Sequence, residues 1–266
     1  MTALLVYLAC GLVTGILAGL FGVGGGLVIV PMLVFVFTWQ GVPAELVQIM
    51  AVGTSLASIT ITSIASFRAH DKRGAVRWNI WRTITPGILV GTFGGGFVAA
   101  ALPVAFLRGF FVCFLYYITI QMLLNFKPKA SRHLPGALGM NGVGGVIGLV
   151  SSLVGIGGGN LSVPFMLYCN IPMHTAVGTS AAIGFPIAVA GTLSYIWNGL
   201  PAPNLPPYSL GYVNLMALAG IVAASYCTVP LGVKLAHSLP VDKLKRFFAI
   251  FLICIATRML WTILMK

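Results

Sequence analysis

The sequence predicts an all-α integral membrane protein made of two inverted-topology repeats, each a glycine-broken helical hairpin plus three transmembrane helices. Composition is the first reason: the 266 residues are 59% hydrophobic and 7% charged, with a mean hydropathy of +1.03, whereas soluble domains carry about 25% charged residues. The second is the length of the apolar runs, about 17–25 residues, which suits spanning helices rather than the roughly 10-residue strands of barrels. The third is a glycine-rich signature that occurs twice.

The first glycine cluster, residues 22–31, reads GVGGGLVIVP, and the second glycine cluster, residues 155–164, reads GIGGGNLSVP, 133 residues later. Glycines within an apolar run leave backbone polar groups bare, and lipid cannot satisfy those groups. Irregular backbone at membrane depth is tolerated only where protein buries it or where it lines a cavity. The sequence therefore predicts one broken segment in each half, as in transporters whose binding sites lie between broken helices.

The two halves match beyond the glycines. AVGTS at 51–55 recurs at 176–180, Asn79 corresponds to Asn214, and residues 102–111 correspond to 239–248. Matches in one order indicate a duplication. The first repeat, 1–133, is predicted to contain the hairpin 3–37 and helices 44–67, 81–102 and 106–125; the second, 134–266, the hairpin 138–169 and helices 172–197, 209–236 and 244–264.

Loop charges predict the orientation of the repeats. The loop 68–82 holds five Lys or Arg residues and its counterpart 198–208 holds none, whereas 234–246 holds four and its counterpart 102–108 holds one. By the positive-inside rule, equivalent loops then lie on opposite sides of the membrane, and both termini are non-cytoplasmic. Inversion needs an odd number of crossings per half. Residues 3–37 would extend about 50 Å as one helix, beyond a core of about 30 Å, so the broken segment is expected to turn back.

The helix after each glycine cluster is expected to begin inside the membrane, where its unpaired N–H groups and its dipole favour an anion. Close helix packing is the alternative role for the glycines. Arg258, which matches Gln121, either snorkels to the interface or lines the anion path. The candidate substrate-binding residues are Gly22, Gly24, Gly25, Gly26, Gly155, Gly157, Gly158, Gly159, Asn160, Thr54, Ser55, Thr179, Ser180, Gln121 and Arg258.

Other features narrow the class of protein. The three acidic residues, Glu45, Asp71 and Asp242, are expected in loops, so the spans offer no carboxylate for proton coupling. The five cysteines have no metal or redox spacing, and neither a metal nor a cofactor is expected. The net charge of +12 is explained mainly by topology rather than by nucleic acid. The expected partners are a small anionic substrate and the lipid bilayer, with a homodimer left open.

The paired Gly-x-Gly-Gly-Gly-x-x-x-x-Pro segments and the Gly-Thr-Ser segments at 53–55 and 178–180 resemble the TauE/SafE family of membrane anion transporters. The resemblance implies export of a small sulfur-containing anion, sulfite or an organosulfonate such as sulfoacetate, across a bacterial inner membrane. Uptake of another small anion or solute, a cation permease and a non-transporting membrane scaffold remain alternatives. An intramembrane enzyme is disfavoured, because the spans lack both a Gly-x-Ser-x-Gly motif and an aspartate.

Overall fold

The structure is a computed structural model that describes residues 2–21, 25–124, 133–238 and 241–265. Six helical segments in this part of the chain are long and apolar enough to cross a membrane, which confirms the all-α membrane class. The helices are α1 (Thr2–Phe21), α2 (Gly26–Trp39), α3 (Ala44–Asp71), α4 (Trp78–Ala101), α5 (Val104–Leu123), α6 (Ala137–Val154), α7 (Gly159–Tyr168), α8 (Met173–Gly199), α9 (Leu215–Ser238) and α10 (Val241–Leu264).

Both glycine clusters interrupt a helix. Gly155 ends α6 with φ 78°, and the N–H groups of Gly155 and Ile156 both donate to the Ser151 carbonyl, as in left-handed helix caps. Gly25 and Gly158 precede α2 and α7 with nearly the same conformation, φ 75° and 77°. Only glycine adopts such values without strain. Gly22 and Gly24 lie outside the described residues.

The helices α3 and α8 pack against each other in the middle of the molecule and run antiparallel. Gly53 lies against Tyr195 and Leu56 lies against Gly191, while Phe67 contacts Phe185 with ring centroids 5.9 Å apart. As the residue number rises along α3, the residue number of its contact on α8 falls, so the two helices run in opposite directions. These two helices carry the matching AVGTS segments, 51–55 and 176–180.

Two further helix pairs, α1 with α9 and α4 with α6, each join one helix of the first half to one helix of the second half. Gly11 and Gly15 of α1 abut α9 near Ile221 and Ser225, so these two helices run parallel. Gly87 and Gly91 of α4 abut Asn141 and Gly145 of α6 in the same way. A Cβ atom at any of these glycines would meet backbone atoms of the partner helix, as expected of helices packed closely in lipid. The helices α5 and α10 form a third pair.

The segment before α9 differs from the prediction of a helix over 209–236. Residues Ser209–Leu210 (β1) and Val213–Asn214 (β2) form a short antiparallel hairpin around Gly211, which has φ 56°. The helix begins only at Leu215, because the Asn214 side chain accepts a 2.8 Å hydrogen bond from the Ala217 N–H and so acts as its N-cap.

Candidate functional site

The two glycine clusters meet near the middle of α3. A Cβ atom on Gly26 would lie only 2.6 Å from the Gly155 carbonyl oxygen and 3.0 Å from the Ile59 side chain. A Cβ atom on Gly157 would lie 3.4 Å from that same side chain. Ser55 donates its hydroxyl hydrogen to the Gly155 carbonyl at 2.8 Å. The breaks in both halves therefore come together beside one stretch of α3.

The threonines of the two Gly-Thr-Ser segments hold the halves together. The Thr54 Oγ1 atom accepts a hydrogen bond from the Asn214 N–H at 3.0 Å, where the chain enters α9. The Thr179 Oγ1 atom accepts one from the Arg77 N–H at 2.9 Å, where the chain enters α4. Both threonine side chains are fully buried. Each hydroxyl thus satisfies a backbone group of the opposite half.

The starts of α2 and α7 differ in polarity. Leu27 and Ile29 of the first glycine cluster correspond to Asn160 and Ser162 of the second. Residues 25–31 at the start of α2 are all buried, whereas Gly159 and Asn160 at the start of α7 are partly exposed. The start of α2 is therefore apolar and closed, and the start of α7 is polar and more open.

Polar side chains lie beside the first turn of α7, together with the apolar side chains of Ile147 and Ile187. The Ser180 Oγ atom lies 3.5 Å from where a Cβ atom on Gly159 would sit, and the Ser151 Oγ atom lies 3.5 Å from the equivalent point on Gly158. The Ser162 Oγ atom lies 2.8 Å from Ser180 Oγ and 3.0 Å from the Gly158 carbonyl oxygen, and its one hydrogen is shared between these two acceptors. The four side chains around this turn are those of Ser151, Asn160, Ser162 and Ser180.

Two of these side chains have polar atoms that are buried and lack a hydrogen-bond partner among the residues that the structure describes. They are Nδ2 of Asn160 and Oγ of Ser151, and Ser151 is fully buried. A buried polar group without a partner costs about 1–3 kcal/mol. Unpartnered donors beside a helix start, where N–H groups are unpaired and the dipole is positive, form an arrangement suited to an anion.

Charged side chains are absent from the sequence around this turn. Residues 134–233, which contain α6, α7 and α8, include no Lys, Arg, Asp or Glu, and neither do residues 46–67 of α3. No group of three or more His, Cys, Asp or Glu that could hold a metal ion occurs among the described residues. The site therefore offers neutral donors and a helix dipole.

The remaining predicted site residues lie apart from this turn. Arg258 is exposed on α10, with its Cζ atom 4.7 Å from the ring centroid of Phe35 on α2. Gln121 is partly exposed on α5 and is not among the nearest neighbours of the described glycines of either cluster. The structure thus groups Gly157, Gly158, Gly159, Asn160 and Ser180 around the start of α7, and Gly26, Ser55 and Gly155 around the meeting point beside α3.

Sequence reasoning missed Ser151 and Ser162. The signal for Ser162 is the second glycine cluster itself, where serine replaces the isoleucine of the first. Ser151 lies four residues before that cluster, in the last turn of α6, where its role depends on the reversal of the chain.

A groove of about 380 Å³ separates α6 from α7. Gly142, Val146 and Val150 of α6 line it together with Leu161 and Phe165 of α7. In a continuous helix, Gly142 and Phe165 would lie about 34 Å apart at 1.5 Å per residue, too far to border one groove. The two helices therefore lie side by side.

Broken helices that meet inside an apolar helical bundle define the membrane transporter class. The chain matches the family model described as Sulfite exporter TauE/SafE over residues 7–259, and it belongs to that family. It is 40% identical over 263 residues to a probable membrane transporter protein of Haemophilus influenzae, covering 97% of this chain and 98% of that protein.

More distant relatives have the same description. A probable membrane transporter protein of Methanocaldococcus jannaschii is 31% identical, covering 85% of this chain and 83% of that protein. The probable membrane transporter protein YunE of Bacillus subtilis is 26% identical, covering 94% and 95%. No solved structure matches the chain. The chain is thus a multi-pass membrane transporter, and its family and relatives are named as transporters rather than enzymes.

Proposed function

We propose that this transporter exports a small sulfur-containing anion, sulfite or an organosulfonate such as sulfoacetate, and that it binds the anion at the start of α7. The observation that carries the proposal is the pair of buried, unpartnered polar atoms, Asn160 Nδ2 and Ser151 Oγ, beside a helix start within the bundle. An anion bound there would receive hydrogen bonds that the protein itself leaves unmade. The family description, Sulfite exporter TauE/SafE, supports the sulfur chemistry.

The proposed mechanism rests on two inverted repeats whose broken segments turn back near mid-depth. The groove shared by α6 and α7 supports a re-entrant hairpin, and the antiparallel packing of the matching helices α3 and α8 supports the inversion. In such an arrangement, rocking of one repeat against the other exposes a central site to each side in turn. The basic segments 68–82 and 234–246, which are predicted to be cytoplasmic, would then lie on the side from which the anion enters.

Export needs no proton in this scheme. An inside-negative potential drives a monovalent anion outward by about 2.3 kcal/mol per 100 mV. Glu45 and Asp71 lie at the two ends of α3, and Asp242 is the second residue of α10, so none occupies the middle of a helix. The membrane potential alone is therefore the proposed driving force.

Flux in proteoliposomes under an imposed potential tests the function. The chain should move sulfite or sulfoacetate faster when the potential drives anions toward the measured compartment. Asn160→Asp places a carboxylate beside the bound anion and should abolish this flux, whereas Asn79→Asp, at an exposed position at the start of α4, should leave it unchanged. The proposal would be contradicted if the flux did not change with the imposed potential, with Asn160→Asp, or with substitutions of Gly157 and Gly159.

A further inference from the structure

We infer that the site at the start of α7 accepts a group with a single negative charge, either hydrogen sulfite or the sulfonate group of an organosulfonate, and rejects the doubly charged groups of sulfite and sulfate. This inference rests on the proposed function and adds the charge state of the substrate. It comes from the kind of donors around the first turn of α7 and from the absence of charged residues in segments 134–233 and 46–67.

The donors at this site are neutral. They are the Asn160 amide, the Ser151 hydroxyl and the first N–H groups of α7. Ser151 is fully buried and its Oγ atom has no partner in the described part of the chain, which points to a ligand independently of the helix start. No Lys or Arg occurs in residues 134–233, nor in residues 46–67 of α3.

The basic residue bonded to α8 lies to one side of the site. Arg77 lies in the loop before α4, where its backbone N–H donates to the Thr179 hydroxyl oxygen and its side chain is exposed. Ser180 is the next residue of α8, but it turns toward Ser162 of α7. A bound anion therefore meets hydrogen-bond donors without a fixed cation among the contacts that define this site.

The charge of the ligand decides whether such donors suffice. The Born cost of moving an ion into a medium of low dielectric constant grows with the square of its charge, so a second negative charge raises it fourfold. A helix start contributes only about half a positive charge. That contribution offsets about half of one negative charge and about a quarter of two. The geometry thus favours a group with a single negative charge.

The titratable groups nearest this turn are on α8. Tyr195 on α8 is fully buried and donates to the Ser152 carbonyl at 2.9 Å, and His174 lies at the exposed start of α8 against Thr175. The helix α6 contains no titratable side chain. The other titratable or charged residues on the elements packed against α7, including α7 itself and the residue after it, are Tyr168, Cys169, Glu45, Arg68, His70 and Asp71.

Equilibrium binding to the purified full chain between about pH 6 and pH 8.5 tests the inference. Hydrogen sulfite loses its proton near neutral pH, so the apparent Kd for total sulfite should rise about tenfold per pH unit above that ionisation. Methanesulfonate remains a monoanion throughout and should bind with little dependence on pH. Its binding therefore serves as the control for any pH effect that arises from the protein.

The outcomes separate the two proposals. The inference is supported if methanesulfonate binds, sulfite binding weakens as the pH rises, and sulfate does not bind. If methanesulfonate binds but sulfite binding is independent of pH, or sulfate binds equally well, the charge rule is wrong while an anion site remains. If none of the three anions binds, the proposed function itself is contradicted, and the inference is contradicted with it.

A substitution that adds a cation gives a second test. Asn160→Lys should allow sulfate to bind at least about tenfold more tightly than it binds to the unmodified chain, whereas Asn79→Lys, at an exposed position of α4, should not. A folded Asn160→Lys protein that still rejects sulfate would contradict the charge rule. If that variant does not fold, the pH series with the unmodified chain decides the question.

Discussion

Ser55 donates its hydroxyl hydrogen to the carbonyl oxygen of Gly155 at 2.8 Å, and 100 residues of sequence separate the two. Gly155 ends α6, so this single bond attaches the second helix break to the centre of α3. The Ser55 side chain is fully buried, and lipid could not replace its hydrogen bond. The bond therefore helps to fix where the second glycine cluster lies.

Ser55→Ala should lower the free energy of unfolding by about 1–3 kcal/mol, because it removes the hydrogen-bond donor of the buried Gly155 carbonyl. Thermal unfolding of the purified protein in detergent measures this change. Ser58→Ala is the matched control: Ser58 is also buried in α3, but it bonds only to the Thr54 carbonyl one turn earlier. Equal effects of the two substitutions would show that the Ser55 bond has no special role.

Gly26→Ala should impair both folding and transport. Its Cβ atom would lie 2.6 Å from the Gly155 carbonyl oxygen, so the two glycine clusters would have to separate. Overpacking of this kind costs about 1–3 kcal/mol. The measurements are thermal stability and anion flux in proteoliposomes.

Gly94→Ala provides the comparison for Gly26→Ala, because a Cβ atom at Gly94 has open space around it in the interior of α4. That change should be neutral or stabilising by up to about 1 kcal/mol, since alanine favours a helix. A Gly26→Ala protein as stable and as active as Gly94→Ala would refute the close contact of the clusters.

Thr54→Val and Thr179→Val should each destabilise the protein by about 1–3 kcal/mol. Valine keeps the shape of threonine but leaves the N–H of Asn214 or Arg77 without an acceptor. Unfolding of each single variant and of the double variant measures the effects. Thr119→Val should cost less, because the Thr119 hydroxyl bonds only to the Leu115 carbonyl of its own helix. If all three single variants lose the same free energy of unfolding, the hydrogen bonds between the halves contribute no more to stability than a bond within one helix.

Asn141→Leu should weaken the packing of α4 on α6. Pro86 disturbs the hydrogen-bond ladder of α4, and the following Gly87 N–H donates to Asn141 Oδ1 at 2.9 Å. Removal of this acceptor should cost about 1–3 kcal/mol, measured by thermal unfolding. Asn79→Leu, at an exposed position near the start of α4, is the control. No difference between the two variants would argue against this role for Asn141.

Much of the architecture can be predicted from local sequence signals. Low charge and long apolar runs indicate spanning helices, and a triple glycine within such a run indicates a break, because backbone groups there need satisfaction by protein. The helix α7 accordingly begins at Gly159 within the second glycine cluster. The hairpin at 209–214 is less visible in the sequence, since its residues are as apolar as a helix and only Gly211 and the Asn214 cap mark it.

The details of the site depend on contacts that are distant in sequence. The repeat suggests two equal helix starts, but Leu27 stands where Asn160 stands in the second half, so only the start of α7 has polar side chains. The partners of Thr54 and Thr179 lie across the opposite half, and no spacing along the chain reveals them. Ser151 becomes part of the site only because the chain reverses after α6.

The exchange of partners between α1 and α9 has a consequence for biogenesis. The Thr228 hydroxyl reaches back to the Leu12 carbonyl at 3.1 Å, across 216 residues. During synthesis, α1 must therefore wait in the bilayer until α9 has emerged from the ribosome. Either half expressed alone would lack the helix of the other half against which its own first helix packs. Two separately encoded halves inserted together would each provide that packing partner to the other.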